Sequence, residues 1–159
     1  MIDRLDELID RLDNFETEKN AIISEALSSK SEEIVGEVRE QLWNGLTNEL
    51  KPITPSYLND PYFKTKEQAY EYMMRKQSIT PNERRPMQTP NLFINGYFHN
   101  SLFLSIDEDS AEVTSMQPLG DKIIAKYGRE MFGVNDVYIE RNIIPLIEEK
   151  IKSYLNGTI

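Results

Sequence analysis

The sequence predicts an α+β protein with a long N-terminal helix, a small antiparallel sheet containing a β-hairpin, and a C-terminal helix. Apolar residues recur every three or four positions over residues 2–50, which is the period of an amphipathic helix. On both sides of the polar run at 107–110 they instead alternate with polar residues, which is the period of a strand. The helical spacing returns over residues 137–155 and stops at Asn156-Gly157, a pair that favours a helix end.

Length and composition favour one folded domain. The chain has 159 residues, of which 39% are hydrophobic and 28% are charged, the balance of an ordinary globular domain of this size. We divide it into a long acidic amphipathic helix or arm (1–50), a proline-rich connector with a short helix (51–90), and a hairpin with the C-terminal helix (91–159), all within a single domain.

The first element is one long helix with a possible break. Its apolar stripe comprises Ile2, Leu5, Leu8, Ile9, Leu12, Phe15, Ile22, Ile23, Ala26, Leu27, Ile34, Val38, Leu42 and Leu46. A polar gap at 17–20 and the serines within 28–31 are the two weak points, and the helix should end at Asn44-Gly45 or near Lys51-Pro52. The stripe either packs on the sheet of its own domain or, over about the first 15 residues, docks on a neighbouring subunit.

The connector is marked by prolines at positions 52, 55, 61, 81, 86 and 90. Within it, Thr65 is a favourable N-cap for a short helix that begins at Lys66. Residues 78–88 lack apolar periodicity and therefore predict a loop, which contains Arg84 and Arg85.

The hairpin follows either a short helix or a turn around Asn95-Gly96. Its predicted strands are 101–106 and 111–116, joined by a polar turn. The side chains expected to face the core of the domain are those of Leu102, Leu104 and Ile106.

Two helices are predicted after the hairpin. The first covers 118–127 and is stopped by Gly128. The second has Asn135 or Asp136 as its cap, and Pro145 should kink it unless the helix begins there.

Charge and composition exclude several classes of function. The net charge is −9, and residues 1–40 carry 12 acids against 5 bases. We therefore expect no sequence-independent binding to the phosphate backbone of nucleic acids. The chain has no cysteine, which excludes disulfides and zinc–thiolate sites and suits a reducing cytoplasm. An acidic start and the lack of 18 consecutive apolar residues predict neither a signal peptide nor a membrane span.

The sequence offers little catalytic chemistry, and we expect no enzyme activity, no metal and no cofactor. There is one histidine, no phosphate-binding glycine loop and no GxSxG motif. The run Asp107-Glu108-Asp109 suits either a hard cation or, better, a solvated hairpin turn. A hydrolase using Asp107, Asp109 or His99 is the weakest alternative, because no base or nucleophile accompanies them.

Binding to other proteins is the remaining interpretation. Arg84 and Arg85 suit either a solvated loop or an acidic partner surface, such as the acidic helix of an adjacent copy, because arginine binds carboxylates in a bidentate manner. Tyrosine and methionine favour interfaces, and the connector is rich in aromatic residues, namely Tyr57, Tyr62, Phe63, Tyr70 and Tyr72. The residues we predict for an assembly interface are Tyr70, Arg84, Arg85, Tyr97, Phe98 and His99.

Residues 55–155 resemble the tail-completion, or minor head-tail connector, proteins of tailed bacteriophages and prophages. The family has a Leu-x-x-(Ser/Thr/Asn)-Gly-x-(Leu/Phe)-x-x-Ser-(Leu/Ile) stretch before a β-hairpin, then a Tyr-Gly segment and a terminal helix. The matching residues here are Leu92, Asn95-Gly96, Phe98, Ser101-Leu102, the hairpin SLFLSIDEDSAEVTS, the segment AKYGREMFGV and the helix to Leu155. Asn95-Gly96 stands where Ser-Gly or Thr-Gly is usual, and the long acidic helix is also a departure.

The resemblance implies a non-enzymatic virion protein, made in the cytoplasm of the host bacterium. It implies a ring or junction layer at the neck, contacting copies of itself and the adjacent neck and tail proteins. A DNA channel would then be nearby, without sequence-specific binding of nucleic acid and without a membrane. The alternative is a cytoplasmic adaptor or regulator that binds a partner through the helix at 1–50.

Overall fold

The computed structural model describes residues 2–108 and 110–158. The elements are α1 (Ile2–Ser29), α2 (Ser31–Trp43), α3 (Lys66–Ile79), α4 (Tyr97–Asn100), β1 (Leu102–Ile106), β2 (Ala111–Ser115), α5 (Leu119–Tyr127), α6 (Asp136–Tyr138) and α7 (Ile144–Asn156). Short 3₁₀ turns lie at Tyr57–Asn59 and Arg129–Met131, and a π-helical turn at Ile139–Ile143 joins α6 to α7.

The hairpin confirms the predicted α+β class. β1 and β2 pair antiparallel, with Leu104 opposite Val113. Leu102 and Val113 are buried, whereas Phe103 points to the other face and is partly exposed. Because side chains alternate along a strand, this register turns the predicted apolar face of β1 toward the helices.

Helix α2 forms the centre of the core and packs across β1. Val38 and Leu42 are completely buried there, together with Ile53 from the connector and Met131 from the turn after α5. Helix α2, the connector, the hairpin and the segments that follow it therefore contribute to one core.

The long N-terminal helix is interrupted once, at Lys30, between α1 and α2. This lies within the predicted weak point at 28–31, and the other, at 17–20, is helical. α1 packs beside α7: the Arg11 guanidinium donates to the carbonyl of Leu155 at 3.1 Å, and the rings of Phe15 and Tyr154 lie 6.2 Å apart.

Helix α2 ends at Asn44-Gly45, the first of the two ends that the sequence predicts. Gly45 has a φ of +71°, and a Cβ built there would lie 2.6 Å from Cγ2 of Thr89 and 2.9 Å from the carbonyl oxygen of Pro90. Both the backbone conformation and the close approach of residues 89–90 therefore require glycine.

Substituting Gly45 by alanine should lower the free energy of unfolding by about 2 kcal/mol, from strain at positive φ and from overpacking. Urea denaturation followed by the fluorescence of Trp43 measures this. Gly36, where a Cβ would meet nothing within 4 Å, is the control, since alanine there should stabilise the helix slightly. Equal effects at the two positions would contradict the assignment.

The C-terminal helical run begins at Asp136, and its cap is Asn135, one of the two predicted residues, whose side chain accepts a hydrogen bond from the amide of Tyr138 at 2.9 Å. Pro145 is the second residue of α7 and follows directly on the π-helical turn. Proline lacks an N–H and clashes with the carbonyl four residues earlier, so a wider turn before it accommodates the ring. Pro145 therefore lies inside the helical run from Asp136 to Asn156, and the π-helical turn just before it is the local irregularity that the proline predicts.

Candidate functional site

The six residues predicted for an assembly interface fall into two groups. Tyr70, Arg84 and Tyr97 are exposed on the surface, and Tyr97 has 70% of its area accessible. Arg85, Phe98 and His99 are buried within their own subunit. The exposed three are available to a neighbour, and the buried three have another role in the fold.

Arg85 holds the loop after α3 together. Its guanidinium donates to the carbonyl of Thr89 at 2.6 Å and to the carbonyl of Thr80 at 3.3 Å. These two acceptors lie at opposite ends of the loop, so Arg85 closes the loop from inside.

Phe98 and His99 anchor the short helix α4 in the core. The Nε2 atom of His99 lies 2.8 Å from the carbonyl oxygen of Asn91, and its ring meets Phe93 edge to face at 5.1 Å. Phe98 packs against Phe132 at 5.9 Å between ring centroids. Burial lowers the pKa of His99, which favours a neutral imidazole in the folded chain.

The aromatic residues of the connector pack mostly on one another. The ring of Tyr72 lies 5.0 Å from that of Tyr57 and 5.2 Å from that of Phe63, and Tyr62 contacts Phe63 at 5.2 Å. Tyr70 lies outside this cluster, on the exposed side of α3 beside Met74. The contact surface offered by the connector is therefore smaller than its aromatic content suggests.

The most exposed apolar surface of α1 is its N-terminal part, which we call the arm (residues 4–12). The arm leaves Leu5, Leu8, Ile9 and Leu12 between 37% and 58% exposed. These positions continue the stripe that packs on α7 at Phe15, because they follow at helical spacing. The apolar stripe therefore extends beyond the part of α1 that packs against α7.

Two further features escaped the sequence analysis. An apolar groove with a cavity of about 410 Å³ runs along β2, lined among others by Leu104, Val113, Ile124 and Ile147. Its lining comes from helices and strands along most of the chain, from α1 to α7, so no local pattern marks it. The other is Lys76, which is only 4% exposed. Its spacing of three from Met73 places it on the buried face of α3, and this is the signal in the sequence.

The described residues place no three acidic or histidine side chains where they could hold a metal ion together. Asp109, one of the carboxylates considered for a cation, lies outside the described residues. None of the described helices combines the length and the apolar composition that crossing a bilayer requires.

No family model, curated protein or solved structure matches this chain. The resemblance to tail-completion proteins therefore depends on the residues that carry it.

Proposed function

We propose that this chain is a structural subunit of a tailed-phage virion, forming a ring or junction layer at the connection between head and tail. The observation that carries the proposal is the arm, whose three leucines and one isoleucine are exposed and are not covered by the rest of the subunit. Four partly exposed aliphatic side chains on one helix face are typical of a segment that lies in a groove of another protein.

The distribution of charge along the chain favours a second copy of the same chain as the partner of the arm. Residues 1–16 carry six acids and two bases, whereas the connector at 51–90 carries seven bases and four acids. Five of those bases are exposed, namely Lys51, Lys64, Lys66, Arg75 and Arg84. Exposed apolar side chains lie among them, at Tyr62, Tyr70 and Met74.

The arm of one copy would thus bind the connector of the next. Two different surfaces on one chain make a head-to-tail contact, and such contacts close into rings when the rotation between copies allows it. The ordered motifs between Leu92 and Leu155 that resemble tail-completion proteins support the same architecture.

Substituting Leu8 and Leu12 together by aspartate should convert the assembled protein into a monomer. Both side chains are exposed, so the fold is retained while the apolar contact is lost. Light scattering coupled to size exclusion measures the mass. The matched control places two aspartates on the polar side of the same helix, at Asn14 and Thr17, which are also exposed, and it should assemble like the parent.

A mixing experiment tests the head-to-tail arrangement. Aspartates at Tyr70 and Met74 should also give a monomer, since the connector surface is then lost. Mixed together, the arm variant and the connector variant should form a dimer that cannot grow, because each keeps one intact surface. The proposal would be contradicted if the wild-type protein stays monomeric at high micromolar concentration and is missing from virions seen by electron microscopy. A monomer that binds an unrelated protein through the arm would instead support the adaptor.

A further inference from the structure

A cavity of about 430 Å³ lies between the connector, α4 and α5. Its walls are mostly aromatic and aliphatic, with Tyr57 and Tyr72 on one side and Phe98 and Ile123 on another. Ile94 and Tyr97, each 70% exposed, stand at the mouth. The size and the apolar lining are those of a small-molecule site rather than of a packing defect.

Lys76 is the one cation that lines this cavity in the part of the chain that the structure describes, and no described carboxylate lines it. The residue as a whole is only 4% exposed, although its Nζ keeps a little contact with solvent. Among the described residues, its ammonium group has neither an ion pair nor a hydrogen bond. A buried cation without a partner is costly, and the arrangement leaves room for an anion to supply one.

The nearest charged groups do not neutralise Lys76. Arg85 adds a second positive charge, and the buried carboxylate of Asp60 already pairs with Lys126 at 2.5 Å. The site is therefore electropositive and faces an apolar cavity, so it favours a ligand with one negative charge.

We propose that this cavity binds a small carboxylate on a short apolar body, with the carboxylate on Lys76 and the body between the aromatic walls. A single ammonium in a lining that otherwise carries no charge matches a monoanion. A phosphate would need more donors, such as an arginine fork or a helix N-terminus. The site is independent of the arm, so it can be tested in the monomeric arm variant.

The protonation of Lys76 controls the affinity. Burial and, to a lesser extent, the positive charge of Arg85 together lower the pKa of Lys76 to about 8. Burial lowers the pKa of His99 and raises those of the tyrosine hydroxyls at 57, 72 and 127, so these groups keep their protonation state between pH 7 and 9. The carboxylate of Asp60 lies 2.5 Å from Nζ of Lys126. Raising the pH from 7 to 9 should therefore weaken binding roughly 10-fold, because the free amine loses its proton.

Isothermal titration with 3-phenylpropionate tests the site. The ligand should bind at pH 7, and at pH 9 binding should take up close to one proton, seen by comparing buffers of different ionisation enthalpy. The neutral amide of the same acid should bind at least roughly 10-fold more weakly, since it lacks the charge.

Two variants complete the experiment. Lys76→Met should abolish both the binding and the proton uptake, whereas Lys66→Met, which changes an exposed lysine of the same helix, should alter neither. Circular dichroism checks that both variants are folded. Equal binding of acid and amide by the wild-type protein, no binding of the acid at millimolar concentration, or undiminished binding by folded Lys76→Met would each overturn the proposal.

Discussion

Replacing Arg85 by alanine should lower the free energy of unfolding by about 3 kcal/mol, while the same change at Arg84 should leave it within about 0.5 kcal/mol of the parent. The two arginines are neighbours in sequence, but only Arg85 is buried. Its loss leaves the carbonyls of Thr80 and Thr89 without their donor, and an unsatisfied buried acceptor costs about 1–3 kcal/mol.

Denaturation by urea gives the two free energies, with Trp43 as the reporter. The indole of Trp43 meets Phe93 edge to face at 5.1 Å, so its fluorescence should follow the unfolding of the region beside the loop. Arg85→Lys should fall between the parent and the alanine variant, because an ammonium cannot span both acceptors as a guanidinium does. Similar losses at positions 84 and 85 would show that burial is not the cause.

Replacing Asn135 by alanine should also lower the free energy of unfolding by about 3 kcal/mol. Asn135 caps the C-terminal helix, and its Nδ2 donates to Glu37 at 2.6 Å and to Gln41 at 2.8 Å. Gln41 in turn donates to the carbonyl of Gly133 at 2.8 Å. One buried amide thus holds the start of the C-terminal helix against α2. Its removal leaves several polar groups without a hydrogen-bond partner.

A double-mutant cycle with Gln41→Ala separates the cap from the network. The two losses should be less than additive, with a coupling of about 1–2 kcal/mol, since the residues bond each other directly. Asn142→Ala, at an exposed position of the same helical segment, is the matched control and should change stability by less than about 0.5 kcal/mol. Strict additivity between Asn135 and Gln41 would contradict the network.

Local signals in the sequence predict the element ends well. Thr65 caps α3 by accepting from the amide of Gln68, and Asn135 caps the C-terminal helix. Gly128 and Gly157 stand just after the helices they end, both at positive φ. Each of these features depends on one residue and its neighbours within one helical turn. The packing of the rest of the chain therefore has little influence on where these helices begin and end.

The sequence does not show which side chains of the candidate site are buried. Nothing local distinguishes Arg84 from Arg85, since the donor groups are the same and only the loop closure places one inside. His99 has its carbonyl bound by the guanidinium of Arg39 at 2.9 Å, a contact across 60 positions. Lys76 is buried because its helix face meets the aromatic cluster and α4. These outcomes depend on long-range packing, which a single sequence does not display.

The π-helical turn at Ile139–Ile143 has a consequence for the rotation of everything after it. Each residue of an α-helix turns the chain by about 100°, and a π turn accommodates one residue more than a regular turn. α7 is therefore rotated about its own axis by roughly a quarter turn relative to a regular continuation of α6. This angular offset determines which face of α7 meets α1, and Tyr154, which lies 15 residues after the irregularity begins, is on the face that packs against Phe15.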